Sequence, residues 1–258
     1  MTAPLVLGLD IGGTSVRAAV ARDGALLERR DAASGPDLAE TVVELAHALA
    51  EGRDIAGIGV GVPEYVDGGR VTSTEVIPWD DGIVAALERI APVAIEADVR
   101  CAAAAEWAAF REPLLYVSWG TGLSSTLVLG DGTAWAGARG RALALGERRV
   151  DGVTLESIAS GRGIERAHGT GATARELAAR DDAADLFRRA GELVAAAVRD
   201  AALLLDPARV VIGGGLGTAD SPARRTLEEL WDLSIPLTTA AHGADSGLVG
   251  AALVALRG

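Results

Sequence analysis

Apolar and polar positions alternate along this chain in blocks that spell strands and helices by turns. A short apolar run at residues 5–9 ends in Asp10, two glycines and a hydroxyl pair, and a second run at residues 16–21 starts at once. That pattern predicts strand, tight turn, strand. Residues 24–28 add a third strand. Residues 38–51 carry Leu38, Val42, Leu45 and Leu49 on one side, the spacing of a helix, with Asp37 placed to cap it. A buried strand follows at residues 55–62, where Gly57, Gly59 and Gly61 alternate with larger apolar residues. The glycine spacing does not fit a GxGxxG dinucleotide loop, and Pro63 follows where a helix would have to begin. Residues 63–79 are turn-rich, with Asp67-Gly68-Gly69 at a hairpin tip. A short helix at 81–90, a strand at 93–96 and an Ala-rich helix at 98–110 complete this half.

The pattern then starts again. Residues 115–119 read as a strand, Gly120-Thr121-Gly122 as a turn, and residues 123–129 as a second strand, the same device that opens the chain. Arg111-Glu112-Pro113 is read as the boundary between two related halves, 1–112 and 113–258. A long helix is predicted at 188–205 and a strand at 210–212 running into Gly213-Gly214-Gly215. A closing helix at 245–256 has Asp245 or Ser246 as its cap.

Composition narrows the chemistry. With 258 residues, 49% of them hydrophobic, the chain can bury sizeable cores. No apolar run reaches membrane-spanning length, and no basic segment precedes the first strand, so a cytoplasmic protein is expected. A net charge of −12 argues against nucleic acid as a partner. The single Cys101 excludes an internal disulfide and, on an Ala-rich helix, reads as core. The sequence has no lysine, asparagine or glutamine. Walker A, protein-kinase and Schiff-base lysine chemistry are therefore all excluded. His47, His168 and His242 lack metal-ligand spacing, and no zinc site is expected.

At the opening turn, Gly12 and Gly13 permit a sharp bend and remove the Cβ atoms that would keep a ligand away. Thr14 and Ser15 offer donors to phosphate oxygens, and Asp10 can hold a magnesium ion or its waters. An ordinary Gly-Gly hairpin is the other reading of the same residues. Arg17 reaches either toward phosphate or over a strand face. Arg139 and Arg141, with Arg148 and Arg149, form a basic patch that is either an exposed face or a contact for an anionic substrate.

Four segments together resemble the ROK family of sugar kinases, within the actin and hexokinase superfamily. They are Asp10-Ile11-Gly12-Gly13-Thr14, Gly120-Thr121-Gly122, Asp206-Pro207 with Val210 to Gly215, and Gly247-Leu248-Val249-Gly250-Ala251-Ala252. They occur in the family's order over nearly the whole chain. The resemblance implies an α/β fold of two ribonuclease-H-like, actin-like ATPase lobes closing on ATP-Mg and a sugar. It implies that Gly12, Gly13 and Thr14 face the terminal phosphates and that Asp10 meets magnesium through the nucleotide. Thr121 and Gly122 would form a second phosphate turn, and Gly213, Gly214 and Gly215 would lie beside the adenosine. A homodimer is also implied. ROK kinases carry an Asn-Asp pair in which the Asp is the general base, and Asp98 matches that base here; taken by itself, Asp98 reads as a helix N-cap.

The departures fall on the sugar side. The family's Asn before the base is Ala97, its sugar-binding Glu is Ala144, and its His is Glu147. The family's cysteine cluster for zinc is absent. Glu156 matches the last sugar-contacting Glu, which makes Glu156 and Glu147 the candidate substrate contacts. The expected activity is ATP-dependent phosphorylation of a hydroxyl on a sugar-like molecule by way of an atypical pocket. The alternative is a weak or inactive ROK-fold ligand sensor. A repressor of this family would need a helix-turn-helix ahead of the first strand, and that class is not expected.

Overall fold

The computed structural model describes residues 3–256. The chain divides into two compact units, Met1–Ala109 with Ala136–Ala142 and Asp245–Gly258, and Phe110–Trp135 with Leu143–Ala244. This differs from a single cut at 112/113, because two later segments join the first unit.

The first unit opens with strands β1 (Leu5–Ile11), β2 (Ser15–Arg22) and β3 (Ala25–Ala33), then helix α1 (Leu38–Ala50) and strand β4 (Ile55–Val62). A two-residue hairpin, β5 (Val66–Asp67) with β6 (Arg70–Val71), turns at Gly68 and Gly69, both at positive φ as expected for that tip. Helix α2 (Gly82–Leu87), strand β7 (Val93–Ala97) and helix α3 (Asp98–Phe110) follow. The sheet order is β3-β2-β1-β4-β7, antiparallel over the first three strands and parallel over the last three.

The second unit repeats the plan with one strand fewer. Strands β8 (Leu114–Trp119) and β9 (Leu123–Val128) are antiparallel, as β1 and β2 are. A small ribbon, β10 (Arg149–Val150) with β11 (Val153–Thr154), leads to helices α4 (Leu155–Ala159), α5 (Gly161–His168), α6 (Ala174–Leu177) and α7 (Ala184–Leu205). Strand β12 (Arg209–Gly213), helices α8 (Gly215–Thr218) and α9 (Pro222–Glu229), and strand β13 (Leu237–Thr239) complete it. The order is β13-β12-β8-β9, with β12 parallel to both β8 and β13. The final helix α10 (Ser246–Val254) belongs to the first unit.

Helix α1 buries Leu38, Val42, Ala46 and Leu49, and α7 buries Phe187, Ala190, Val194, Ala197 and Val198, each an apolar stripe against its own unit's core. Helix α7 begins four residues before the expected start and ends at Asp206, whose positive φ and the following Pro207 stop it. Three cap expectations do not hold. Asp37 makes no side-chain cap bond to α1. Asp245 pairs with Arg29 at 2.6 Å, and Ser246 Oγ donates to Glu106 at 2.8 Å, so neither side chain caps α10.

The alternating glycines of β4 have a packing cause. A Cβ on Gly57 would lie 2.6 Å from Ala255 O, and one on Gly59 would lie 1.8 Å from Ala251 O. On β1, a Cβ on Gly8 would meet Leu248 O at 2.7 Å. Helix α10 therefore rests its backbone directly on the sheet, closer than any side chain permits. In turn, Gly250 lets Cys101 of α3 approach, since a Cβ there would sit 1.7 Å from Cys101 O. Helix α10 has no polar face because sheet and helix enclose it. Among the described residues, no helix is long and apolar enough to cross a membrane.

Candidate active site

In the first unit, strand register assembles the site. Asp31 on β3, Arg17 on β2, Asp10 on β1, Gly61 on β4 and Glu96 on β7 pair successively across the sheet. Residues paired this way project to one face. Gly61, in the middle of the row, keeps that face open: a Cβ there would lie 3.3 Å from Cys101 Sγ and 3.6 Å from Asp98 Cα. The missing side chain lets the first turn of α3 sit over the sheet and brings Asp98 to the carboxyl ends of β1 and β4.

Asp10 is 5% exposed, and its Oδ2 lies 2.5 Å from Arg17 Nη2. Burial raises its pKa, and Arg17 opposes this without cancelling it. Helix α10 begins against the carboxylate, which a Cβ on Gly247 would approach to 2.7 Å, so the positive end of that helix faces the acid. Of the two readings left open for Arg17, the structure shows a third outcome, a counter-ion for Asp10. We expect Arg17→Ala to destabilise the fold by about 2 kcal/mol. That is less than the 3–5 kcal/mol typical when a fully buried pair is broken, because Arg17 is 27% exposed and Asp10 can take up a proton. Without Arg17 the folded-state pKa of Asp10 rises further, so the deficit must grow as pH rises. Urea unfolding at pH 5 and pH 8 measures it; an equal deficit at both would refute the assignment.

Asp98 is half-buried at the start of α3, and its Oδ1 accepts the Val99 N–H at 2.6 Å. Burial and then the negative charge of Asp10 push its carboxyl up to about 7. The Val99 N–H and Arg17 pull it down, and Glu64 adds to the rise. Beside it, Glu96 Oε1 accepts the Ala97 N–H at 2.8 Å and Arg100 Nε at 2.6 Å. Buried Arg100 also donates to Val66 O at 2.5 Å and Gly140 O at 3.4 Å, which ties the hairpin and residues 136–142 to α3. The turn between β1 and β2 is braced by Ser34: its Oγ donates to Gly12 O at 2.5 Å and its N–H to Thr14 O at 3.1 Å. Gly13 and Thr14 are left exposed.

In the second unit, Gly120 N–H donates to Gly122 O at 2.9 Å, closing the second turn. Helix α5 holds that turn through Gly161 N–H to Gly120 O at 2.8 Å and Arg162 N–H to Thr121 O at 3.2 Å. Thr121 and Gly122 are exposed. The glycines of residues 213–215 lie directly beside it, since a Cβ on Gly120 would meet Gly215 N at 3.2 Å. Gly214 has φ +77°, and a Cβ there would lie 2.5 Å from Trp119 O. Trp119 is itself fixed by donating to Ala159 O at 2.7 Å. Glu156 accepts the Leu123 N–H at 2.8 Å through Oε2, so its carboxylate braces the second turn. Glu147 is exposed, at the end of a 3-10 turn that follows Ala144.

Ser34, Glu64, Glu96 and Arg100 are the site-supporting residues the sequence reading missed. No cluster of three or more His, Cys, Asp or Glu side chains suited to a metal occurs among the described residues.

A family model described as ROK matches residues 6–257. The chain belongs to the ROK family. This ROK chain is 32% identical, over 96% of its length, to the bifunctional enzyme NanE/NanK of Brucella melitensis, and it spans about half of that enzyme, 53%. It is 30% identical to the N-acetylmannosamine kinase of Salmonella typhi over 96% of this chain and 97% of that one. Among solved structures, the ROK glucokinase of Streptomyces griseus in complex with glucose and AMPPNP is similar. It has a TM-score of 0.83 and 26% identity, covering 98% of this chain and 100% of that one. The α/β fold is thus the actin-like ATPase fold of ROK kinases.

Proposed function

We propose that this chain is an ATP-dependent kinase that phosphorylates a hydroxyl of a sugar or close sugar derivative. The observation that carries the reading is Asp98: a half-buried carboxyl at a strand end, pushed up to about 7 beside Asp10. A general base works best when its pKa lies near the working pH. Val99 N–H holds Oδ1, which leaves Oδ2 to take the proton of the attacking hydroxyl. The hydroxyl oxygen then bonds to the terminal phosphorus of ATP, the bond from that phosphorus to the bridging oxygen breaks, and ADP leaves. The relatives support this reading, since kinases of N-acetylmannosamine and glucose are among them.

Asp10 suits magnesium carried by the nucleotide. It offers an oxygen donor, it is buried, and its environment demands a positive charge, which Arg17 supplies in part. Magnesium ordinarily needs only one or two protein carboxylates, because phosphate oxygens and waters supply the rest. When bound, the ion offsets charge on the phosphoryl oxygens. Gly12, Gly13 and Thr14, with Thr121 and Gly122, are proposed to meet phosphates, and Gly213 to Gly215 the adenosine. Glu147 and Glu156 remain the proposed acceptor contacts. Ala97 and Ala144 make the acceptor pocket atypical for the family. A homodimer in the cytoplasm is part of the same proposal.

The test is ATP consumption with magnesium across glucose, mannose, N-acetylglucosamine, N-acetylmannosamine and simple polyols. We expect turnover of at least one hexose, rising with pH to a plateau through an apparent pKa near 7. Protein that binds ATP and turns over none of them would overturn the kinase reading.

A further inference from the structure

Glu64 is an acid where the chain leaves β4 through Pro63, yet it is 5% exposed. Its carboxylate is wrapped by residues 73–77. Ser73 Oγ donates to Oε2, Glu75 N–H donates to Oε2 at 2.9 Å, and Val76 and Ile77 N–H donate to Oε1 at 2.6 and 2.9 Å. Ser73 Oγ also accepts the Tyr65 N–H at 3.0 Å, which closes the loop on its own root. Burial would raise the pKa of Glu64, but the bonds from Ser73, Ile77, Glu75 and Val76 outweigh it and lower the pKa. An ionised carboxylate thus fills a nest of consecutive N–H groups that would otherwise suit a foreign anion.

The place of this loop matters. Val62 at the end of β4 pairs with Ala97 at the end of β7, so Glu64 and Asp98 leave neighbouring parallel strands at the same sheet edge. In open α/β sheets, ligands bind outside the carboxyl ends of the strands. Ile77 is buried in the core at 3% exposure, whereas Thr74, Glu75 and Val76 stay exposed at that edge. The loop is therefore anchored at both ends and open in the middle.

We propose that Glu64 is a positioning residue for the sugar acceptor: its carboxylate holds residues 73–77 as a fixed wall at the edge where Asp98 stands. This rests on the kinase reading above. A loop held only for stability would lower the folded fraction, and with it the apparent kcat, and leave both KM values unchanged. A wall for the acceptor affects the acceptor alone.

The experiment compares wild type, Glu64→Gln and Glu64→Ala, with amide hydrogen exchange at residues 75–77 and separate KM values for acceptor and ATP. In Glu64→Ala we expect fast exchange at 75–77, an acceptor KM raised about tenfold and an ATP KM within about twofold of wild type. Glu64→Gln keeps an acceptor oxygen for part of the nest and should fall between, and it carries the measurement if the alanine variant does not fold. Unchanged exchange, an unchanged acceptor KM, or an equal rise in both KM values would overturn the proposal. Wild-type protein that turns over no sugar would instead remove the kinase reading itself.

Discussion

Asp98→Asn is expected to lower turnover by roughly a hundred- to ten-thousand-fold, the usual cost of losing a general base, while ATP affinity stays nearly unchanged. Asparagine keeps an oxygen to accept the Val99 N–H, so the start of α3 survives the change. The same substitution should make the protein more stable at pH 8. The folded-state pKa of Asp98, about 7, lies above the ordinary 3.8. Between those values the folded protein holds a proton that the unfolded chain releases, so wild-type stability falls as pH rises through that window. The full loss is bounded at roughly 4 kcal/mol, reached above pH 7. Asparagine does not titrate and escapes it. Thermal unfolding should therefore show the variant above wild type at pH 8 and level with it near pH 4. If Asp98 were only a helix cap, alanine there would cost about 1 kcal/mol and little activity, and asparagine would leave the rate unchanged. A variant with full turnover would refute the base directly.

The strand-turn-strand devices were legible because they rest on local chemistry: apolar runs broken by Gly-Gly-Thr and Gly-Thr-Gly. Their repetition was legible too, and the two sheets share the plan it implied, with β8, β9, β12 and β13 matching β1, β2, β4 and β7. Helix α9 and strand β13 were not legible. The first, Pro222–Glu229, is dominated by charged residues, and the second is three residues long, too short for a period. The glycines of β4 were read as part of a strand, but the purpose of Gly57 and Gly59 depends on α10, nearly two hundred residues later, and no local pattern reports that. Arg17 stayed ambiguous because its partner follows from register: only with Ile11 opposite Val16 does Arg17 fall opposite Asp10. Glu64 was invisible for a related reason. An acid after a proline in a turn-rich segment reads as solvent-exposed, and only the Ser73 hydroxyl with the backbone N–H groups of residues 75–77 makes its burial tolerable.

Gly215→Val is expected to abolish ATP binding in a protein that still folds. The three glycines of residues 213–215 differ in what surrounds them. At Gly213 a Cβ would lie 2.2 Å from the Tyr116 hydroxyl oxygen, and at Gly214 it would lie 2.5 Å from Trp119 O with φ at +77°. Substitution at either position breaks the turn before any nucleotide arrives, so lost binding there would show only that the turn had been lost. Gly215 has nothing within 4 Å of its Cβ direction and already stands at the first position of α8. Valine has a better helix propensity than glycine, so the change should cost the fold nothing on that account. That open space, next to the turn of residues 120–122, is where the adenosine is proposed to rest. A branched side chain filling it should weaken ATP by at least about a hundredfold, close to 3 kcal/mol. Calorimetric titration with ATP, alongside thermal unfolding of the same variant, separates the two effects. A folded Gly215→Val protein with wild-type ATP affinity would move the adenosine away from this turn, whatever Gly214→Val does.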